Sequence, residues 1–227
     1  MNRPALLKDI YKRLSSFYGP QRWWPADTPF EMMVGAILTQ NTSWSNAARA
    51  IENLRKARLL DPGRLSRVSE KRLARLIRSS GYFRQKASRL KIFSRYLSDA
   101  YGGKIERMKR IPLDPLRKEL LDLPGIGPET ADSMLLYALG KPSFVVDAYT
   151  RRVLARHSLI PWRASYDEIQ RFFVQGLPPK APLFNEYHAL LVAVGKDLCR
   201  KHPQCQGCPL RRVGKLRLEV LGSPLPG

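Results

Sequence analysis

An aspartate lies where an apolar run of the chain gives way to a polar helical segment. Asp147 directly follows Phe144–Val146, and the residues after it include Tyr149 and two arginines. This position is typical of a helix N-cap, where backbone N–H groups and the positive end of the helix keep a carboxylate ionised. Such a carboxylate either does nothing but cap its helix, or is an ionised group that is also available for chemistry. The segment alone is compatible with both interpretations.

A turn with two glycines precedes this aspartate in the chain. Residues 123–131 read Leu-Pro-Gly-Ile-Gly-Pro-Glu-Thr-Ala, between a leucine-rich helix and a second helix that Pro128 opens. Gly125 and Gly127 lack Cβ atoms where a phosphate would approach, and the N–H groups at the start of the second helix favour an anion. An ordinary helix–helix turn is the alternative. The charge of the whole chain favours the phosphate site.

That charge is strongly positive. The 227 residues include 40 Lys and Arg against 19 Asp and Glu, a formal net charge of +21, and 44% of them are hydrophobic. This apolar content supports a folded core, and clustered positive charge on a folded domain is typical of nucleic-acid binding. An anionic membrane surface is the weaker alternative. No apolar run approaches the roughly 20 residues of a membrane span, and the start lacks a signal peptide, so we expect a soluble, intracellular protein.

Three cysteines lie close together near the end of the sequence. Cys199, Cys205 and Cys208 fall within ten residues of one another, unlike a disulfide framework spread through a secreted chain. Closely spaced thiolates are ligands for metal ions and iron–sulfur clusters. The spacing therefore indicates metal or iron–sulfur chemistry at this end of the chain.

The elements that position these residues are predicted to be helices. Thr28 and Glu31 have the spacing of a capping box, and Pro29 suits a first helical position, so we expect a helix from Pro29 to about Gln40. Its apolar stripe would consist of Phe30, Met33, Val34, Ile37 and Leu38. Later helices are predicted over 148–158, 166–175 and 183–197. Strand signals are almost absent, since Phe144–Val146 is too short to build a sheet, and we predict an all-α fold.

The hairpin, followed at this distance by Val-Val-Asp147, resembles the helix–hairpin–helix (HhH-GPD) DNA glycosylase superfamily, in particular proteins related to endonuclease III. The likeness extends to Gly35–Thr42 and Gly81–Ala87 and covers about residues 25–214. It implies a two-lobed helical fold with a DNA-binding cleft between the lobes. A central domain of residues 29–140 would end in the hairpin, and residues 1–28 and 141–227 would form a second domain with the cysteine loop.

The resemblance also implies roles for individual residues. Asp147 would face the anomeric carbon of a damaged nucleotide rotated out of duplex DNA, stabilise the oxocarbenium character of the sugar, and orient or deprotonate water. Gln40 would fill the vacated space, and Tyr82 or Phe83 would wedge the opposite strand. The hairpin residues expected to contact DNA are Gly125, Ile126, Gly127, Glu129 and Thr130. We expect a monomer in the cytoplasm, associated with the nucleoid.

One hairpin position departs from the bifunctional members of the family. Those members carry a lysine just after the hairpin, whose amine forms a Schiff base with the sugar and permits strand cleavage, whereas here Glu129 occupies that place. A carboxylate cannot form an imine, so the resemblance implies a monofunctional glycosylase that uses water. The alternative is an endonuclease III-type glycosylase and AP lyase acting on oxidised pyrimidines. That activity needs another amine, such as Lys141 or Lys196, to reach the sugar.

The cysteines also depart from the family pattern. They resemble its four-cysteine loop for a [4Fe-4S] cluster, but Gly214 stands at the fourth position. Three thiolates can hold a cluster with water or another ligand on the fourth iron, and a loop without metal is the alternative. A bound cluster would be structural and would brace a basic loop against phosphates. The basic residues of that loop are Arg200, Lys201, Arg211, Arg212 and Lys215.

Two tryptophans suggest a lesion class. Trp24 lies in Gln21–Pro25, and Trp44 follows the segment with Gln40; both resemble the 3-methyladenine DNA glycosylase III branch, where aromatic rings sandwich an alkylated purine. Indole faces attract a cationic N-alkylated adenine, whereas core packing is the alternative role for these rings. The implied function is excision of an alkylated purine such as 3-methyladenine, with oxidised pyrimidines and mispairs left open. A DNA-structure-binding protein that has lost catalysis is the third alternative.

Overall fold

The structure is a computed structural model, and it describes residues 2–217. The α-helices in chain order are α1 (Arg3–Tyr18), α2 (Pro29–Leu38), α3 (Trp44–Lys56), α4 (Pro62–Arg67), α5 (Glu70–Leu76), α6 (Phe83–Tyr101), α7 (Ile105–Lys109), α8 (Leu113–Leu121), α9 (Pro128–Ser133), α10 (Ala148–Arg156), α11 (Tyr166–Val174) and α12 (Ala181–Asp197). A π-helical turn extends α9, and short 3-10 turns lie before α6 and in the cysteine loop. Residues 2–217 contain no β-strand, which confirms the predicted all-α fold.

The chain divides into two compact units. Trp24–Lys141 forms one, called here the central unit, and the segments on either side of it form the other, called the terminal unit. The units divide after Trp23 and after Lys141, whereas the sequence predicts boundaries after residues 28 and 140. Within the described residues, no helix is both long enough and apolar enough to span a membrane.

Helix α2 is the core of the central unit. The sequence predicted one apolar stripe, but every residue from Phe30 to Leu38 is buried, because α3, α6, α9 and the π turn pack around the helix. The predicted capping box is only half correct. The Thr28 hydroxyl accepts the Glu31 N–H at 3.1 Å, while the Glu31 carboxylate accepts a hydrogen bond from Arg55 at 2.7 Å.

This helix ends at Leu38, before the predicted end at Gln40. The Thr39 hydroxyl bonds back to the carbonyl of Gly35 at 3.0 Å, and Asn41 has a left-handed backbone with a φ of 50°. Both features terminate a helix, since the hydroxyl competes for a helical carbonyl and the left-handed residue turns the chain. Gln40 therefore belongs to a turn rather than to the helix.

The terminal unit is built from α1, α10, α11 and α12 around an aromatic core. The rings of Phe144 and Phe173 stack with centroids 3.8 Å apart, and the Tyr187 hydroxyl donates to the Leu7 carbonyl at 3.0 Å. Phe144–Val146, the most strand-like run in the sequence, is a buried segment that belongs to neither a helix nor a strand. It leads directly into α10 and so determines where that helix begins.

Candidate active site

The predicted N-cap at Asp147 is confirmed. Asp147 precedes α10 with an extended backbone, and its Oδ1 accepts the N–H of Thr150 at 2.7 Å. Its Oδ2 lies 3.6 Å from Nε2 of His188, and the carboxyl side chain is only 13% exposed. One oxygen is thus anchored by the helix, and the other faces a buried imidazole.

His188 is a residue of this site that sequence reasoning missed. It lies on α12 and is buried. Burial lowers the pKa of His188 below its usual value, Lys196 lowers it further, and Asp147 acts in the opposite direction. The imidazole is therefore neutral near pH 7. The only sequence signal was a lone histidine on an apolar helix, which more often indicates a core residue than a functional one.

A lysine and two aromatic rings lie in the same unit. The exposed Lys196 holds its Nζ 5.4 Å from the ring centre of Trp23 and 5.9 Å from that of Tyr149. Such cation–π contacts restrain an ammonium without neutralising it. The terminal unit therefore brings together a carboxylate, a neutral imidazole and a primary amine.

The hairpin lies in the central unit and uses its two glycines differently. Gly125 has a φ of +83°, and a Cβ on it would overlap the side chain of Arg89. Gly127 has an ordinary φ of −91°, and nothing lies within 4 Å of where its Cβ would be. Gly125 is thus required by the turn itself, whereas Gly127 leaves the surface open. Ile126 between them is buried in the core.

Gln40 is attached to this hairpin, a contact that the sequence did not predict. Its Nε2 donates to the carbonyl of Gly125 at 3.0 Å and to the Thr130 hydroxyl at 2.9 Å. Its Oε1 accepts a hydrogen bond from Arg89, whose side chain covers Gly125. Thr130 is buried and bonded to Gln40, so its hydroxyl is used within the protein in this structure.

The segment Gly81–Ala87 contains an exposed aromatic ring. Tyr82 has a left-handed φ of 45° and is 64% exposed, while Phe83 is partly buried against the core of the central unit. The buried Lys86 donates to the carbonyls of Leu38 at 2.9 Å and Ser80 at 2.6 Å. Burial lowers the pKa of Lys86 to about 8, with Arg89 adding to the effect. Lys86 therefore connects the end of α2 to the turn before Tyr82.

Trp24 and Trp44 are brought together in the central unit. Their rings meet edge to face with centroids 5.1 Å apart, and Tyr137 lies 5.5 Å from Trp24. Trp24 also contacts Gly35 of α2, where a Cβ would lie 3.6 Å from the indole. All three rings are partly buried against the core. They form an aromatic cluster that packs against the core of the central unit, next to α2.

Glu129 and Lys141 determine whether an amine near the hairpin is available to form a Schiff base. Glu129 lies exposed in the first turn of α9, where a carboxylate favours the helix N-terminus. The Lys141 Nζ donates to the backbone carbonyls of Lys109 at 3.0 Å and Ile111 at 2.5 Å. Lys141 therefore stabilises the end of α7 and the chain after it, and its amine is engaged in hydrogen bonds to these two backbone carbonyls.

The three cysteines line one small cavity in the terminal unit, together with Arg156 and Arg211. Arg156 is almost completely buried; its Nη1 donates to Cys199 Sγ at 3.0 Å, and its Nε has no hydrogen-bond partner among the described residues. A buried guanidinium without a carboxylate requires a negative charge nearby. A set of thiolates bound to a cluster would supply that charge, so the chemistry of these residues is compatible with a three-cysteine [4Fe-4S] site.

A fourth thiolate at the family position is ruled out by the backbone. Gly214 has a φ of +62°, and a Cβ there would overlap the carbonyl of His157. The segment is held by hydrogen bonds instead: Lys215 N–H donates to His157 O at 3.2 Å and Arg217 N–H to Arg156 O at 2.7 Å. Among residues 2–217, no group of three or more His, Cys, Asp or Glu is arranged so that it could hold a metal ion.

The sequence of the chain is similar to those of known DNA repair proteins. A family model for HhH-GPD superfamily base excision DNA repair proteins matches residues 34–179. A Methanocaldococcus jannaschii protein classed among the DNA repair glycosylases is 47% identical over 212 residues, covering 92% of this chain and 96% of the relative. Endonuclease III of Thermotoga maritima is 32% identical, covering 81% of each chain.

A solved structure shares both fold and detectable sequence similarity with the chain. It is the 3-methyladenine DNA glycosylase of H. pylori bound to 1,N6-ethenoadenine, with a TM-score of 0.74 and 28% identity. The match covers 86% of this chain and 98% of that one.

Proposed function

Because the chain belongs to the HhH-GPD superfamily of base excision DNA repair proteins and is a DNA N-glycosylase, we propose that it is monofunctional and removes an alkylated purine such as 3-methyladenine from duplex DNA. Water is the nucleophile, and Asp147 is the catalytic carboxylate. The observation that carries the proposal is the anchored, largely covered carboxylate of Asp147 at the start of α10.

The carboxylate would act on the sugar. As the glycosidic bond lengthens, positive charge develops at C1′, and a fixed negative charge nearby lowers the energy of that state. Oδ1 is held by the Thr150 N–H, so Asp147 needs little reorganisation when the charge appears. The same carboxylate orients water for attack on C1′ and accepts its proton. The products are a free base and an abasic site with an intact strand.

The aromatic cluster of Trp24, Trp44 and Tyr137 supports the choice of base. An N-alkylated adenine is cationic, and aromatic faces attract it by stacking and cation–π forces of roughly 1–3 kcal/mol. A cationic base also leaves readily, so no strong general acid is needed. The H. pylori structure, which is named a 3-methyladenine DNA glycosylase, points to the same lesion class.

A panel of duplex oligonucleotides tests the proposed function. The panel carries 3-methyladenine analogues, thymine glycol, and thymine and uracil opposite guanine, and base release is measured in single turnover before and after alkali. We expect release of the alkylated purine, with strand breaks only after alkali. Preference for another lesion would overturn the substrate assignment, and inactivity on every lesion would favour the non-catalytic DNA-binding alternative.

We propose that the central unit supplies the main contacts with DNA. The hairpin, including Gly125, Ile126, Gly127, Glu129 and Thr130, would hold phosphates through its backbone; the exposed face at Gly127 supports this role. Tyr82, exposed at its turn, is the stronger candidate for the wedge, since Phe83 packs on the core. Gln40 would fill the space left by the nucleotide after exchanging its hydrogen bonds to the hairpin. We propose that the protein acts as a monomer.

A second candidate, an AP lyase of the endonuclease III type, is favoured by Lys196. Its exposed amine lies in the same unit as Asp147 and is close enough to lower the pKa of His188. An exposed amine in the unit that carries the catalytic carboxylate is a candidate nucleophile for Schiff-base chemistry.

We predict no covalent trapping of the protein on abasic duplex DNA by borohydride, because the hairpin position holds Glu129 and the Lys141 amine is occupied. Borohydride reduces only an imine, so trapped protein reports Schiff-base formation directly. Trapping that disappears in Lys196→Ala but persists in Lys141→Ala would establish the lyase and contradict the monofunctional assignment.

The three cysteines, Cys199, Cys205 and Cys208, would hold a [4Fe-4S] cluster, with Arg156 supplying a compensating positive charge. A bound cluster would give structural cross-linking of the loop that carries the basic residues. Arg200, Lys201, Arg211 and Arg212 are all exposed there and available to phosphates.

We predict that protein purified without oxygen contains iron and acid-labile sulfide, and that Cys205→Ser greatly reduces both. Arg156→Met should also lower cluster retention on exposure to air, since it removes the buried charge. Iron and sulfide content and visible absorption measure this directly, without reference to activity. Metal-free wild-type protein after anaerobic purification and reconstitution would contradict the assignment.

A further inference from the structure

The strongest unexplained feature of the terminal unit is the buried histidine beside Asp147. His188 Nε2 lies 3.6 Å from Asp147 Oδ2, and both side chains are largely covered, at 6% and 13% exposed. The mechanism above uses only the carboxylate. Burying a polar ring is costly, so its position beside the catalytic carboxylate suggests that His188 contributes to the site.

Close packing of α10 and α12 brings the two residues together. Gly195 lies seven residues after His188, on the same face of α12. A Cβ on Gly195 would lie 2.7 Å from Tyr149 of α10, which is closer than side chains pack. Arg152 of α10 adds hydrogen bonds to the carbonyls of Gly195 at 2.9 Å and Cys199 at 2.7 Å. The register of the two helices is therefore specified at several points.

The protonation of the ring follows from its surroundings. An ionised carboxylate can only accept hydrogen bonds, so the neutral imidazole is directed toward Oδ2 by an Nε2–H. Burial lowers the pKa of His188, and the two charged groups that act on it are Asp147, which raises that pKa, and Lys196, which lowers it. A neutral donor at this position leaves the negative charge of Asp147 available to the sugar.

We infer that His188 is a positioning residue for Asp147: its Nε2–H holds Oδ2 while the Thr150 N–H holds Oδ1. Two hydrogen-bond donors on different oxygens restrict rotation of the carboxylate about the Cβ–Cγ bond of Asp147. A single donor restricts this rotation less. We expect the 3.6 Å distance to shorten to a hydrogen bond in the complex with DNA, as is common for contacts that tighten in the reactive complex. The inference rests on the proposed role of Asp147.

Two substitutions of similar size separate positioning from packing. His188→Leu fills the space without a donor, and His188→Gln places an amide nitrogen close to the position of Nε2. We expect His188→Leu to lower the single-turnover rate of base release about tenfold or more, the size of losing one hydrogen bond to a charged group. His188→Gln should recover most of that loss. The affinity for lesion DNA should stay near wild type in both variants.

Tyr187→Phe is the matched control, because it removes a buried hydrogen bond from the neighbouring residue of α12. It should leave the rate of base release near wild type. If His188→Leu folds and works as fast as wild type while Asp147→Asn is inactive, the inference is wrong and the proposed function stands. If wild type releases no base from any duplex of the panel, the proposed function is wrong.

Nuclear magnetic resonance tests the contact between His188 and Asp147 without measuring activity. It therefore still tests the inference if the His188→Leu variant fails to fold. The ¹⁵N shifts of His188, assigned against His188→Gln, should show a neutral ring protonated on Nε2. They should move in Asp147→Asn, which removes the charge that the ring faces. A ring protonated only on Nδ1, with and without DNA, would overturn the inference.

Discussion

Replacing Asp147 by asparagine is expected to lower the rate of base release at least about 100-fold, the range seen when one charge-stabilising group is removed from an active site. Asparagine has the same shape and can still accept the Thr150 N–H, so the helix cap is retained. Only the negative charge is lost. Single-turnover base release and DNA affinity, measured on the same duplex, separate this chemical effect from an effect on binding.

A second aspartate of the chain provides the matched control. Asp61 caps α4 in the central unit and accepts the Arg64 N–H at 2.8 Å. Asp61→Asn therefore makes the same change at an N-cap remote in sequence from the proposed chemistry and should leave base release unchanged. Equal rates for wild type and Asp147→Asn would remove Asp147 from the mechanism and with it the main support for the proposed function.

Replacing Gly125 by alanine is expected to reduce both the stability of the protein and its affinity for DNA. An L-residue at a φ of +83° is strained by about 1–2 kcal/mol, and the new Cβ would displace Arg89. Arg89 and Gly125 both bond to Gln40, so the hairpin and the turn that contains Gln40 are disturbed together. We expect a lower free energy of unfolding and at least roughly tenfold weaker binding to lesion duplex, since about 1.4 kcal/mol corresponds to tenfold.

Two further glycines separate strain from phosphate contact. Gly127→Ala has an allowed φ and open space at its Cβ, so stability should stay unchanged while DNA binding weakens. Gly63→Ala, inside α4, meets only ordinary contacts at 3.5 Å and should affect neither DNA binding nor the turn. Wild-type DNA affinity in Gly127→Ala would show that phosphates do not approach the backbone at that position.

The chain's local features were predictable because they follow from short-range rules. The helix start at Thr28, the N-cap at Asp147 and the glycine turn at 123–127 depend on residues within one helical turn of each other. The end of α2 was predicted two residues too late, because apolar periodicity does not register that Thr39 bonds back to Gly35 or that Asn41 is left-handed. Glu31 pairs with Arg55 rather than with its own cap, since α3 supplies a cation that local pattern does not contain.

In the candidate site too, some features follow from local residue patterns and others depend on how distant segments pack. Asp147, the hairpin and the three cysteines were identifiable from residue type and spacing, and the family they resemble is the one to which the chain belongs. The contact of Gln40 with Gly125 joins residues 85 positions apart, and Arg156 reaches Cys199 across 43 positions. No spacing rule predicts such pairs, because they depend on how helices pack.

The amino-acid sequence by itself determined the helical character of the chain and the family, and it places Glu129 and Gly214 where the resemblance implies a lysine and a fourth cysteine. Only the tertiary structure decided that His188 faces Asp147, that the Lys141 amine is occupied and that the backbone leaves no room for a side chain at position 214. The physical reason is that residue type and local backbone preference act within a few residues, whereas burial, pKa and close contact arise when distant segments exclude water from each other.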